Sequence, residues 1–225
     1  MARVASFHLV RHHRSIDAMT HLATLRRLLR GVPGLAFSRV LGTGRGSDTG
    51  PSADLRRTAL FAVWDAEDDL DRFLTATPRA WAQAAERYDL RLRGIAGHGT
   101  WRGAAVLAGL ERGDHRGPIA LMTRADVRPS AWRRFRAAGP AVSAELQGAP
   151  GLLAVAGVGE LPVGRLGTFS LWSGIDALTA FARSPRHAAV VQRTRAERWY
   201  GEELFARFEP FGASGTWDGR DPLGG

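Results

Sequence analysis

The chain contains no cysteine, no lysine and no asparagine, and very little isoleucine. The absence of cysteine excludes disulfides, thiolate metal sites, a cysteine nucleophile and a thiolate-ligated haem. Histidine is then the side chain best suited to hold a metal or a haem iron. No apolar run approaches the roughly 20 residues that a membrane helix needs. The first residues, Met1-Ala2-Arg3-Val4-Ala5-Ser6-Phe7-His8, alternate like a strand and lack the apolar stretch of a secretory signal. A cytoplasmic protein is the expectation. All 31 basic residues are arginine, and against 22 acidic residues they leave a net charge of +9. Codon bias in a GC-rich genome explains arginine in place of lysine. The positive excess favours acidic partners: nucleic acid, an anionic membrane surface or an acidic redox protein. At 225 residues, 44% hydrophobic and 24% charged, the chain can form one large domain or two small ones.

What the chain does have is an internal repeat. Val32-Pro33-Gly34-Leu35 is echoed by Ala149-Pro150-Gly151-Leu152, and Thr58-Ala59-Leu60-Phe61-Ala62-Val63-Trp64 by Gly167-Thr168-Phe169-Ser170-Leu171-Trp172. A short helical pattern follows each tryptophan, with Phe73 and Phe181 at the same offset from it. Thr77-Pro78-Arg79-Ala80 then matches Ser184-Pro185-Arg186-His187. The halves close on Gly99-Thr100-Trp101-Arg102-Gly103 and Gly215-Thr216-Trp217-Asp218-Gly219.

Each half reads as the same string of elements. Period-2 alternation over 4–10 predicts a strand, and a helix follows over 15–30, with Ser15 as N-cap and Gly31 as stop. Strands over 35–41 and 58–64 flank a Gly/Ser-rich loop at 42–53. A helical stretch over 68–87 and a strand over 90–95 complete the half. The second half repeats the order: strand 119–124, helix 130–147, strands 152–160 and 166–172, helices to residue 199, strand 204–208. This β-α-β-β-α-β order is the split ferredoxin-like unit. The expected fold is α+β: tandem ferredoxin-like repeats forming a fused dimeric α+β barrel. Its parts are a first half at 1–103, a linker at 104–117, a second half at 118–219 and a tail at 220–225. An apolar space between sheet and helices is the expected ligand site.

Differences between the copies are informative, because both need the same core. His187 stands where the first copy has Ala80. With Ser184 as N-cap and Pro185 at the first helical position, His187 falls in the first turn of a helix and shares a face with Val190, Val191 and Thr194. The dipole at a helix N-terminus favours the neutral imidazole, the form that ligates a metal or haem iron. The competing reading is a core histidine bonded to a strand carbonyl. Arg198, on the same predicted face, is in reach of an acidic group such as a propionate, or is a solvated helix end. Arg124 ends a strand and is matched to Arg11, so a shared structural role competes with a site role; Arg128, before Pro129, is similar. Glu160 ends a strand and either bonds a ligand or an iron-bound imidazole, or faces water. His8, His12 and His13, with His21 on the next helix, read as a surface cluster rather than a zinc site, which needs further ligands and a second shell. His98 and His115 read as solvated.

Several second-half motifs occur in order: Thr123-Arg124-Ala125 with Arg128-Pro129, Gly157-Val158-Gly159-Glu160-Leu161-Pro162, His187-Ala188-Ala189, Arg195-Ala196-Glu197-x-Trp199, Glu202-Glu203-Leu204-x-Ala206-Arg207-Phe208 and Gly215-Thr216-Trp217-x-Gly219. Together they resemble the spheroidene monooxygenase family of acyclic-carotenoid ketolases. The resemblance is dense over 118–223 and thin before 32. It implies a haem b cofactor, reductant from an acidic ferredoxin, and oxidation of a lipophilic small molecule. His187 is then the proximal iron ligand; on the haem reading Arg124 is the candidate polar distal donor, Arg128 and Arg198 the candidate partners of the propionates, and Glu160 a candidate cofactor contact. The histidine-rich first strand and the 42–53 loop depart from the family pattern.

The leading expectation is a haem-dependent monooxygenase of a lipophilic or specialised-metabolite substrate. A haem enzyme doing redox-neutral chemistry, such as dehydration or N–O cleavage of an iron-bound substrate, is the second. A cofactor-free binding barrel is the third. No transmembrane segment and no nucleic acid partner are expected; transient contact with a membrane surface and self-association remain open.

Overall fold

A computed structural model describes residues 2–47, 53–76, 79–160 and 164–224. The first half runs β1 (Val4–Arg11), α1 (Ser15–Leu28), β2 (Leu35–Gly44), β3 (Ala53–Trp64), α2 (Glu67–Thr75), α3 (Arg79–Ala82) and β4 (Glu86–Gly99). The second runs β5 (Ile119–Val127), α4 (Trp132–Gln147), β6 (Leu152–Gly159), β7 (Arg165–Trp172), α5 (Ile175–Ala182), α6 (Pro185–Ala196) and β8 (Tyr200–Gly215). The strands close one antiparallel barrel in the order β1-β3-β2-β6-β7-β5-β8-β4. Each half supplies four adjacent strands, and the halves meet at two seams, β2 with β6 and β4 with β8. This is the fused α+β barrel that the repeat implies.

Strand alternation sorts side chains into a barrel interior and a helix-facing layer. Phe7, Phe61, Phe169, Phe208, Tyr88 and Met122 point inward and are fully buried. Phe7 and Phe169 stack across the two halves at 3.7 Å between centroids. At about 2–3 kcal/mol for each fully buried large apolar side chain, this filling is a main source of stability. The barrel interior is therefore a packed core, and any ligand space lies outside it, beneath the helices.

The repeated Gly-Thr-Trp-x-Gly frame is explained by geometry. Gly99 (φ +84) and Gly215 (φ +86) each lie so close to the neighbouring strand that a Cβ would sit 2.0 Å from a carbonyl oxygen, of Glu203 and Arg87 respectively. Only glycine adopts that conformation in that space. The following Trp101 and Trp217 are buried against the interior. Each turn is held by a glutamate of the other half. Glu202 accepts from Thr100 Oγ1 (2.6 Å) and from the Arg102 and Gly103 N–H groups (3.0 and 2.8 Å). Glu86 accepts from Thr216 Oγ1 (3.1 Å) and the Gly219 N–H (2.6 Å). Burial opposes ionisation of Glu202, but these donors and Arg124 outweigh it and hold its carboxyl down to about 2.

Several expectations shift. The 68–87 helical stretch is two helices, and β4 already begins at Glu86. β4 and β8 are far longer than the sequence pattern indicates, because each forms the long seam with the other. Gly42–Gly44 and Ala53 lie within β2 and β3 rather than in a loop, and 48–52 is outside the described residues. The 104–117 segment packs on the barrel: Val106 is buried, Leu107 and Leu110 touch the interior cluster, and Arg3 and Leu110 form a bridge.

The histidine-rich strand is the largest correction. His8, His12 and His21 are buried, and His13 is exposed. The Trp81 indole N–H donates to His21 Nε2, so that nitrogen carries no proton. His21 Nδ1 therefore donates to Thr58 Oγ1 (3.1 Å), whose hydroxyl also hydrogen-bonds His12 Nε2 (3.2 Å). Burial, with the neighbouring His12 ring, pushes the His21 pKa down from 6.5 to about 4, and burial also lowers that of His12. A neutral ring in the folded state and a basic one in the unfolded chain set the sign. The stability that His21 permits is complete above pH 6.5 and is lost as pH falls towards 4, by about 3 kcal/mol. Urea melts at pH 7 and pH 4.5 should differ accordingly, and His21→Gln should flatten that difference; equal slopes in both proteins would contradict it.

Candidate functional site

His187 lies at the start of α6, and Pro185 opens that helix. Ser184 holds the cap position but makes no side-chain capping bond. The first-turn N–H of His187 is instead satisfied by Glu145 Oε2 of α4 at 3.1 Å, a carboxylate at the positive end of the helix dipole. The imidazole is half-buried and packs on Phe181, 4.7 Å between centroids. Its Nδ1 lies 3.1 Å from the Ala182 carbonyl oxygen. A carbonyl only accepts, so Nδ1 carries the proton and Nε2 of the neutral ring presents a lone pair. A backbone bond of this kind orients a ligating histidine and fixes its tautomer. Nε2 makes no hydrogen bond among the described residues.

Strand register allows the copies to be superposed residue by residue. Val4 and Ile119 both pair with the repeat tryptophan, Trp64 and Trp172. Ser6, His8 and Leu9 thus correspond to Leu121, Thr123 and Arg124, and Leu60 to Thr168. In the first half, the helix-facing layer is filled. Trp81 is 2% exposed and packs on His8 (5.2 Å) and Phe73 (5.5 Å), beneath Leu25 and Leu29. His187 takes the station of Trp81, since each packs on the phenylalanine that follows the repeat tryptophan. The sequence frame sets His187 against Ala80 instead, whose side chain is outside the described residues.

The second copy replaces large fillers by small ones. An imidazole stands for an indole, Thr123 for His8, and Thr168 for Leu60. Its helices follow suit: α4 buries only Leu146 and α6 only Thr194 among their described side chains. Trp132, Phe135, Ala138 and Val190 stay half-exposed around buried Trp199, Val191 is half-exposed too, and the helix-facing side of β5 and β7 carries a hydroxyl pair, Thr123 Oγ1 to Thr168 Oγ1 at 2.8 Å. The helix-facing layer is better filled in the first copy than in the second, where the smaller side chains leave a gap in the packing with His187 at its rim.

Other candidate residues fall elsewhere. Arg124 is 4% exposed and points into the barrel with Trp101, bonded to Glu202 (2.5 Å) and Asp126. The sheet separates it from His187, so it is no distal donor there. Its counterpart is Leu9, and that of Arg11 is Asp126, because the register is offset from the strand ends. Glu160 is bound by the Trp101 indole and by Arg102 Nε (2.9 Å), with Arg39 Nε at 3.4 Å. It borders a groove of about 430 Å³ that also includes Arg26 and Arg30 but not His187. Glu160 therefore neither faces water nor meets the imidazole. Arg128 is exposed and donates to the Tyr200 carbonyl at 3.0 Å. Arg198 does not share the face of His187. The helix ends at Ala196, Arg198 turns left-handed (φ 50), and the Trp199 N–H bonds back to the Thr194 carbonyl at 3.0 Å. That is a Schellman-type stop with buried Trp199 as its hydrophobic contact.

The chain is 33% identical over 205 residues to spheroidene monooxygenase of Rhodobacter capsulatus, covering 88% of this chain and 85% of that protein. It belongs to the spheroidene monooxygenase family. The Rubrivivax gelatinosus member is 32% identical over 194 residues, covering 84% and 74% of the two chains. No family model matches the chain. Among solved structures, aldoxime dehydratase in complex with butyraldoxime shares the fold, with a TM-score of 0.62 at 14% identity over 93% of this chain and 80% of that one. Membership makes the protein an oxidoreductase of monooxygenase type. Sequence reasoning missed Thr123 and Thr168 as the floor of the gap, although aligning the two copies by register exposes them.

Proposed function

We propose that the protein is a haem-dependent monooxygenase of a lipophilic small molecule, of the class that includes acyclic carotenoids, and that haem b occupies the second-half gap with His187 as its iron ligand. What supports this reading is the contrast between the copies: the helix-facing layer is more completely buried in the first half than in the second, where His187 presents an Nε2 that makes no hydrogen bond among the described residues. The residues fit the group. An apolar layer from Trp132, Phe135, Val190 and Val191 suits a flat macrocycle, and the Ala182 carbonyl holds the imidazole in its ligating tautomer. When bound, haem supplies the iron chemistry that activates dioxygen or peroxide. The chain's own part is to orient, to exclude water and to place polar groups. Leu121, Trp172 and Phe181 keep the rim dry, and the Thr123 and Thr168 hydroxyls are the polar groups of the floor. Exposed Arg133, Arg136, Arg186 and Arg195 on α4 and α6 suit docking of an acidic ferredoxin-type donor.

The test is the absorption spectrum of protein produced with ample haem supply. Wild type should show a Soret band that shifts on reduction and CO addition, and His187→Ala should lose or shift it. An unchanged band in His187→Ala would remove the ligand assignment, and a colourless wild type would remove the cofactor.

A further inference from the structure

We infer that Arg207 is a carboxylate-binding residue at the edge of the second-half gap, and that its ligand is a propionate of the bound porphyrin; the inference rests on the haem reading above. Arg207 lies on β8, paired with Leu121 of β5 and Ala96 of β4. Leu121 and Phe205 on the same face pack under α5, so Arg207 belongs to the helix-facing layer. Its first-half counterpart is Arg91, which pairs with Ser6 just as Arg207 pairs with Leu121.

The copies treat this arginine differently. Arg91 is neutralised by two carboxylates of α2, bonding Glu67 Oε1 at 2.7 Å and Asp71 Oδ1 at 2.5 Å. Counted from Trp64 and Trp172, those positions become Ile175 and Thr179 on α5. Arg207 accordingly has no ion pair and no hydrogen bond among the described residues, and its Nε is shielded from solvent without an acceptor. A half-buried guanidinium with a shielded, unpaired donor is unfavourable unless something pairs with it. The codon bias that makes every cation an arginine does not explain why one copy keeps both counter-ions and the other has neither.

The location suits a cofactor carboxylate. In the first half, His8 and Arg91 line one cavity of about 190 Å³. Their counterparts are Thr123, on the floor of the gap, and Arg207. Arg207 and Thr123 therefore hold, on adjacent strands, the positions from which Arg91 and His8 line that cavity, and the planar fork of a guanidinium matches a carboxylate. A porphyrin with two propionates and an otherwise apolar body combines the charge that Arg207 lacks with the surface that α4 and α6 leave open.

The experiment is a titration of apo-protein with haemin and with haemin dimethyl ester, whose propionates carry no charge, following the Soret shift. Wild type should bind haemin about tenfold more tightly than the ester, as expected for one charge-assisted pair. Arg207→Gln should weaken haemin alone and bring the two ligands level. Ile175→Glu with Thr179→Asp keeps the arginine but supplies the first copy's counter-ions, and should abolish the discrimination in the same way. Discrimination that survives in both variants overturns the inference, as does an equal loss for both ligands in Arg207→Gln. A wild type without a His187-dependent Soret shift overturns the haem reading and this one with it, whereas an intact shift with unaltered discrimination overturns this one alone.

Discussion

Trp81→Ala lowers the stability of the protein by about 3–5 kcal/mol, read as a fall in Tm of roughly 10 °C and a lower urea midpoint at unchanged slope. Trp81 is 2% exposed and packs on His8, Phe73 and His21. Its loss leaves a cavity that the rigid sheet cannot close, and cavity and transfer terms add. It also leaves His21 Nε2 buried without its donor, which costs a further desolvation penalty. A loss below about 1 kcal/mol would show that the first-half layer is not the packed copy described above.

The second large effect is on binding. Thr123→Phe combined with Thr168→Leu gives the second-half floor apolar bulk like that of the first copy, where Leu60 stands opposite His8. The two hydroxyls bond mainly to each other at 2.8 Å. Replacing both together avoids an orphaned partner and should leave thermal stability unchanged or slightly raised. Haem affinity should fall about ten- to a hundredfold, since overfilling a packed space costs about 1–3 kcal/mol. Apo-protein titrated with haemin provides the measurement. Wild-type affinity in a folded double variant would place the cofactor elsewhere.

These predictions depend on a correspondence that the sequence supplies only in part. The matched landmarks define two copies and their element order, and from that order the barrel class follows. They do not define register. Matching strand ends pairs Arg124 with Arg11, whereas hydrogen-bonded register pairs it with Leu9. That displacement is two residues, which keeps a side chain on its face of the sheet; it is the match to Leu9, a member of the interior cluster, that places Arg124 inside the barrel beside Trp101. Arg198 fails for a different reason. Helical periodicity extends a face for as long as the helix lasts, but a non-glycine residue in the left-handed conformation ends it, stabilised by the burial of Trp199.

The histidine at position 187 was identifiable as a difference between copies before any coordinates, and its place at a helix start follows from Ser184-Pro185. The sequence alone also determines the absence of thiolate chemistry, the duplication and the family. What only the tertiary structure decided is which surfaces face each other. His8, His12 and His21 become buried because Asp89, Trp81 and Thr58, distant in sequence, complete their hydrogen bonds: Asp89 that of His8, Trp81 and Thr58 those of His21, and Thr58 that of His12. Arg207 makes no ion pair among the described residues, whereas its counterpart Arg91 meets Glu67 and Asp71 of α2. The physical reason is the same in both cases: local pattern reports which residues share one face of one element, while pairing across elements is set by strand register and by how the helices settle on the sheet.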